Sequence, residues 1–408
     1  MPSEIISTDH IENQSVNKNN SGKEYVLSDA QRERYRELSK ESRLSKLAAK
    51  QGLLKPLHNM NTPKLNPEEL MPQLPRTKLS ALSLFSGGGG LDLGFDRAGF
   101  EHVASYEIIP ICENTLRENR EDWKVYAGVN NGDVRNVRWD NLTGTVDVVH
   151  GGPPCQPFSI AGEQKGIDDD RNMWGEFSRA VNSIKPKVFV AENVPGLMSP
   201  KFEGFVNTQI IDQLSDYQIV KFQLHAADFG VPQIRRRIFF VGFKNSEEFN
   251  RFSLPRPTHS KEHFKSDRNS SVGAYSLFEN ELPKVSGVRE ALGLPEIGYD
   301  DLAPTIRSAF TGKRNTTSVL NSSAGQVAWA KMEVWPNGVQ ASREGASAFP
   351  AKNGHFRMSI QDVALLQGFP QSWKFGGAVY QVLGQIGNSV VPPMAYQVAV
   401  NVMKAIST

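Results

Sequence analysis

The 408-residue chain carries 46 Lys and Arg against 44 Asp and Glu, a net charge of +2, so no global field marks it for nucleic acid, although a basic face can hide within a neutral total. Its length predicts two or three domains with a sizeable core. No apolar run approaches the ~18 residues that span a bilayer, Met1-Pro2-Ser3-Glu4 lacks the layout of a signal peptide, and two cysteines, Cys112 and Cys155, make no disulfide framework; a cytoplasmic protein with no membrane partner is expected.

Residues 1–27 are polar, rich in Asn and Ser, and are expected to stay disordered. Ser28-Asp29 can cap a helix running to about Lys50, with Tyr35, Leu38, Leu44 and Leu47 on one face among many charges. That helix reads as an accessory packing element or a DNA-contacting arm. The proline-rich stretch 51–77 has no periodicity and reads as a linker.

Organisation begins at Lys78. Residues 79–85 form a buried-strand pattern that runs into Ser86-Gly87-Gly88-Gly89-Gly90, with a helix predicted over 91–98. Strand, glycine turn and helix make half of a nucleotide-binding α/β unit, but such turns serve nicotinamide, flavin and S-adenosylmethionine sites alike. A second strand, 102–106, delivers Glu107 about 20 residues past the glycines, the separation at which a carboxylate meets a ribose. A helix follows around 111–118, then Asp133 at a further strand end suited to an adenine amino group.

A short buried strand at 146–150 leads to Gly151-Gly152-Pro153-Pro154-Cys155-Gln156-Pro157-Phe158-Ser159. Glycines allow close backbone approach and prolines fix φ, which suits a nucleophile held above a sheet edge. Residues 160–175 are a candidate lid. The strand 187–191 brings Glu192-Asn193-Val194 to the same edge, and a strand around 220–224 precedes Gln233-Ile234-Arg235-Arg236-Arg237, which runs into the apolar 238–243. From about Lys244 strand–helix alternation is lost, and polar stretches such as Arg314-Asn315-Thr316-Thr317 suit contacts to bases and phosphates. Order returns at 360–367 and Gly368-Phe369-Pro370, and again at Gln385-Ile386-Gly387-Asn388-Ser389 with a helix over 394–405.

Taken together, residues 78–408 resemble the C5 cytosine-specific DNA methyltransferases of restriction–modification systems. The matching segments are Phe85 to Gly90, Pro154-Cys155 with Gln156-Pro157-Phe158-Ser159, Glu192-Asn193-Val194, Gln233-x-Arg235-x-Arg237, Gln367-Gly368-Phe369-Pro370 and Gly387-Asn388-Ser389, in the family's order. The resemblance implies an α/β fold, a Rossmann-like methyltransferase domain with a mostly parallel sheet, and a smaller irregular target-recognition domain. Its expected boundaries are 1–77 for the extension and linker, 78–245 with 384–408 for the catalytic domain, and 246–383 for target recognition.

The resemblance further implies S-adenosylmethionine as methyl donor and no metal. Phe85, Ser86, Gly87, Gly89, Gly90, Glu107, Ile108, Asp133, Pro154, Asn388 and Ser389 would form the donor site, although Ile108 stands where many relatives carry an aromatic. Cys155, Glu192, Arg235 and Arg237 would carry the chemistry; Ser159, Gln164 and Arg171 would contact duplex DNA. A cognate restriction endonuclease in the same system, a bacterial cytoplasm and a monomer are also implied. Three other readings remain: a nicotinamide or flavin oxidoreductase, which needs no Pro154-Cys155 paired with Glu192-Asn193; a transfer-RNA cytosine methyltransferase, which lacks use for so large a variable region; and a catalytically dead DNA-recognition protein, which has no need of an intact Cys155, Glu192 and Arg237.

Overall fold

Apolar runs that end at glycine become the centre of a sheet, because a strand covered on both faces needs no polar alternation. The computed structural model describes residues 17–18, 24–25, 28–51, 53, 59–154, 172–264, 282–311, 316–349, 351 and 354–407. The chain divides into two units, Met1–Pro56 and Leu57–Thr408. In the first, helix α1 (Asp29–Lys50) is the helix the sequence predicts, and its Leu44 and Leu47 are exposed.

The second unit holds a seven-stranded sheet. Its elements are β1 (Ser80–Leu84), α2 (Gly90–Arg97), β2 (Glu101–Glu107), α3 (Ile111–Asn119), β3 (Val125–Ala127), β4 (Val148–Gly151), α4 (Trp174–Ile184), β5 (Val188–Asn193), β6 (Gln218–His225) and β7 (Arg236–Phe243). The strand order is β3-β2-β1-β4-β5-β7-β6. All neighbours are parallel except β7, which runs antiparallel to both β5 and β6. The chain moves outward from β1 to β3, then returns to β4 on the other side of β1. That reversal opens a crevice at the carboxyl ends of β1 and β4, where open α/β sheets hold ligands.

Three helices close the unit: α5 (Ile360–Leu366), α6 (Val379–Asn388) and α7 (Pro392–Ile406). Helix α7 lies directly on α2, since a Cβ on Gly94 would stand 2.5 Å from the Ala395 Cβ. The hydrophobic core runs without a break from Ala81 and Val148 through Val288, Trp329, Val334 and Val363 to Val398.

The expected linker is only partly one. Residues 59–77 form a strap across the second unit: Asn61 Nδ2 donates to Leu292 O and to Asp362 Oδ1, both at 3.0 Å, Leu74 N to Arg97 O at 2.9 Å and Thr77 N to Gly99 O at 2.8 Å. Met71 is fully buried. Apart from the single helical turn Pro67–Leu70, the strap has no helical or strand period because many of its main-chain bonds go to loops and helix ends, so the prolines alone read as a linker. Among the described residues no helix is long and apolar enough to cross a membrane.

Candidate active site

The turn after β1 is held in an unusual backbone shape. Phe85 has φ +57°, Gly87 +54° and Gly89 +82°. A left-handed phenylalanine costs on the order of 1–3 kcal/mol and persists only where its surroundings impose it. Here they do: Gly87 N donates to Glu107 Oε2 at 2.7 Å, Ile109 N to Glu107 Oε1 at 2.9 Å, and Ser86 N to Tyr106 O at 3.3 Å. The carboxylate at the end of β2 thus ties the β1 turn to the β2 turn. Burial raises its pKa and the two N–H groups oppose that rise.

Around this turn lies a cavity of about 450 Å³, lined by Phe85, Ser86, Gly87, Glu107, Ile108, Asp133, Pro154, Asn388 and Ser389 of the expected donor site, and also by Glu192 and Arg237. Ile108 is 42 % exposed, an apolar side chain in the cavity lining. Gly89 and Gly90 are not in the lining. Their small size serves packing: a Cβ on Gly90 would lie 2.1 Å from Val390 O, and one on Gly89 2.7 Å from Leu116. Asp133 is not at a strand end but caps a 3-10 turn six residues past β3. Arg135 grips its carboxylate, Nη2 to Oδ2 at 2.6 Å and Nε to Oδ1 at 2.9 Å, and this hydrogen bonding lowers the Asp133 pKa.

The reacting end of the cavity is set by sheet register. Glu192 on β5 stands opposite Phe239 on β7, so Arg237, two residues before Phe239, reaches it along the diagonal on the same face. Arg237 Nε lies 2.8 Å from Glu192 Oε1, with both side chains largely buried. Burial pushes the Glu192 pKa up, against the lowering by the Arg237 and Arg235 charges and the Arg237 hydrogen bond. Gly152 makes room for this carboxylate: a Cβ there would be 3.1 Å from Glu192 Oε2. Asn193, absent from the expected site, donates from Nδ2 to Pro153 O at 3.1 Å while its Oδ1 accepts from Val194 N at 2.9 Å. It fixes the chain two residues before Cys155. Cys155, Ser159, Gln164 and Arg171, with most of the expected lid, lie outside the described residues.

Arg235, expected among the reacting groups, is fully buried and outside the cavity lining. Its guanidinium donates to three carbonyls, Ile306 at 3.2 Å, Gly387 at 2.8 Å and Ser389 at 2.9 Å. A break in the strand accounts for this, because Arg235 lies between the two-residue segment Gln233–Ile234 and β7, outside the register that faces Glu192. Gln233 donates to Leu366 O and to Gln367 Oε1, both at 2.9 Å, and Gln367 Nε2 donates to Ser389 O at 2.7 Å. Gln233, Arg235 and Gln367 therefore form a buried clamp on the turn that presents Asn388 and Ser389. Arg235→Met is expected to take a donor from the Ile306, Gly387 and Ser389 carbonyls, of which Ser389 O keeps Gln367 Nε2, and to cost about 3 kcal/mol of stability in urea denaturation; a loss under about 1 kcal/mol would show that the clamp does not depend on this residue. The sequence signal for the clamp was present in the spacing of Gln233, Arg235 and Arg237, but not the division of labour among them.

The family model described as C-5 cytosine-specific DNA methylase matches residues 79–404. The chain is 34 % identical over 338 residues to the type II methyltransferase M.NgoMIV of Neisseria gonorrhoeae, covering 81 % of this chain and 98 % of that protein. It is 31 % identical over 352 residues to the type II methyltransferase M.PspPI of Psychrobacter sp., covering 82 % of this chain and 81 % of that one. Among solved structures, the fold is shared with the Entamoeba histolytica methyltransferase EhMeth (TM-score 0.53, 16 % identity, 82 % of this chain and 100 % of that one) and with a Spodoptera frugiperda DNMT2 mutant (TM-score 0.51, 18 % identity, 80 % and 100 %).

Proposed function

The chain belongs to the C-5 cytosine-specific DNA methylase family, and from that premise we propose that it methylates carbon 5 of a flipped-out cytosine in a specific duplex DNA sequence through a covalent Cys155 adduct, as the modification enzyme of a restriction–modification system. The observation that carries this reading is the buried Glu192–Arg237 pair, 2.8 Å apart, in the same cavity as the β1 turn and two residues of chain away from Cys155 at Pro153.

The cavity suits an adenosyl donor. Its volume falls within the roughly 300–1,000 Å³ of small-molecule sites, Ile108 and Phe85 offer apolar surface to a ring, Glu107 stands at a ribose-binding position, and Asn388 and Ser389 close the far wall. S-adenosylmethionine, the family's donor, supplies an electrophilic methyl group when bound. In this reading Asp133 meets the adenine amino group only if Arg135, half exposed, yields one of its carboxylate contacts.

Carbon 5 of cytosine is a weak nucleophile. Addition of the Cys155 thiolate at carbon 6 converts the ring to an enamine whose carbon 5 accepts the methyl group. A carboxyl at Glu192 with a raised pKa donates or shares a proton with ring nitrogen 3 and so neutralises charge as sulfur adds. Arg237 fixes Glu192 and holds the base carbonyl oxygen. Loss of the carbon 5 proton then expels Cys155 and restores the aromatic ring. The base leaves the stack at a cost of a few kcal/mol, with Ser159, Gln164 and Arg171 closing around the extruded nucleotide, while residues 246–383 read the surrounding sequence. The enzyme works as a cytoplasmic monomer beside a cognate endonuclease that cuts unmethylated sites.

The purified protein with labelled S-adenosylmethionine is expected to place label on carbon 5 of cytosine in duplex DNA, at a short recurring sequence found by mapping methylated positions. Labelling of transfer RNA with none in duplex DNA would overturn the substrate assignment.

A further inference from the structure

Asp92, in the first turn of α2, belongs to no part of the reaction described above. It is 2 % exposed yet borders the donor cavity. Its Oδ1 accepts from Ser105 Oγ at 2.9 Å, while Oδ2 has no hydrogen-bond partner. The nearest hydroxyls, Ser83 and Ser86, are bonded to each other at 2.8 Å. A buried carboxylate oxygen with no donor is costly and calls for an explanation.

The charge balance of the cavity supplies one. Among its described lining residues the carboxylates are Asp92, Glu107, Asp133 and Glu192, and the cations are Arg135 and Arg237. Arg135 is paired with Asp133 at 2.6 Å and Arg237 with Glu192 at 2.8 Å. Glu107 receives two backbone N–H groups. Asp92 has no cation, and its Oδ2 has no donor in hydrogen-bond geometry, although Ser83 and Ser86 lie near enough to lower its pKa. Such a wall favours a ligand that brings positive charge, and the reaction itself changes that charge, since the sulfonium of the donor becomes an uncharged thioether once the methyl group has left.

We propose that Asp92 is a specificity-determining residue of the donor pocket, a buried counter-charge that favours the sulfonium donor over the thioether product. The inference rests on the reading that this cavity holds S-adenosylmethionine. It gives the pocket a direction: the same carboxylate that holds the donor ceases to hold the product, which aids exchange after each turnover. Asp92 shares the cavity with Glu107 and Glu192, whose pKa values burial also raises, so the comparison with Asp92→Asn isolates its part. From β2 it meets Ser105 and, beyond it, His102, which burial holds neutral with a pKa of about 4, together with Glu107; α3 presents Cys112, a thiol kept protonated by burial; β1 and the turn present only Ser83 and Ser86. Burial raises Asp92 itself to about 6, against the lowering by its serine neighbours. Its charge is present above that value and lost as pH falls through it.

Calorimetric titration of the full chain with S-adenosylmethionine and with S-adenosylhomocysteine tests this. Asp92→Asn is expected to weaken the first by about tenfold and the second by less than about twofold, the loss of one charge-assisted contact. In the wild type the preference for the sulfonium ligand is expected to shrink between pH 7.5 and pH 5.5, on either side of the Asp92 value of about 6, and in Asp92→Asn to stay flat. Equal weakening of both ligands, or no weakening, overturns the proposal. If Asp92→Asn does not fold, Asp92→Ser is titrated in its place with the same outcomes deciding, and a wild-type preference that does not change with pH overturns the proposal. Failure of the wild type to bind either ligand removes the donor assignment itself, and the inference with it.

Discussion

Cys155→Ala is expected to lower methyl incorporation into duplex DNA by roughly 10⁴ to 10⁶-fold, the range over which an enzyme loses rate when a covalent nucleophile is removed. In the proposed mechanism sulfur addition is the step that makes carbon 5 reactive. The chain leading to the thiol is firmly held: Gly152 lies against Glu192, Pro153 O is bonded to Asn193 Nδ2 at 3.1 Å, and Pro154 borders the cavity. Alanine at the next position disturbs none of these contacts, so donor affinity and thermal stability are expected to match the wild type. DNA carrying fluorine at carbon 5 gives a second readout, because fluorine cannot leave as a proton does; the wild type is expected to remain covalently attached to it and the variant to release it. Residual activity within about 100-fold of the wild type would exclude a covalent mechanism through this residue.

Glu192→Gln is expected to lower kcat by about 10² to 10⁴-fold, the contribution of a positioned acid or base. The amide oxygen still accepts from Arg237 Nε, so the ion-pair geometry has a substitute, but an amide has no proton to give at ring nitrogen 3. Stability carries the opposite sign. The folded-state pKa of Glu192 lies above its ordinary 4.5 because burial outweighs the Arg237 and Arg235 charges. A carboxyl shifted upward contributes stability that is complete below 4.5 and is lost as pH rises through the folded value. The wild type is therefore expected to lose thermal stability relative to Glu192→Gln as pH rises from 4.5, while its activity stays far higher. A variant with wild-type kcat, or one whose relative stability moves the other way with pH, would remove Glu192 from the proton-handling role.

Both variants act on residues legible in the chain by their neighbours in sequence. The glycine turn, the strand ends at Glu107 and Glu192, and the helices at 29–50 and 111–119 follow from local rules: periodicity, glycine at left-handed positions and apolar runs bounded by turns. What misled was also local. The prolines of 51–77 suggested a linker, yet Asn61, Met71 and Leu74 fasten 59–77 to the second unit. Arg235 and Arg237 share a motif and are both expected among the reacting groups, yet Arg237 faces Glu192 while Arg235 clamps Gly387 and Ser389.

The sequence by itself determined the order of strands and turns, the residue types available for nucleophile, acid and donor pocket, and membership of the family whose motifs recur in that order. Tertiary structure decided which of those residues share a cavity. The reversal of strand order between β3 and β4 brings the β1 turn beside Glu192, the antiparallel insertion of β7 sets Arg237 on that carboxylate, and the return of α6 from the far end of the chain seals the wall with Asn388 and Ser389. Strand order depends on pairings such as Ala81 with Val148, and the far wall on contacts such as Arg235 with the Gly387 and Ser389 carbonyls, none of them local in sequence. The same long-range packing leaves Asp92 with a bare oxygen at the cavity wall, a feature invisible in a helix predicted only from its place after a strand and a glycine turn.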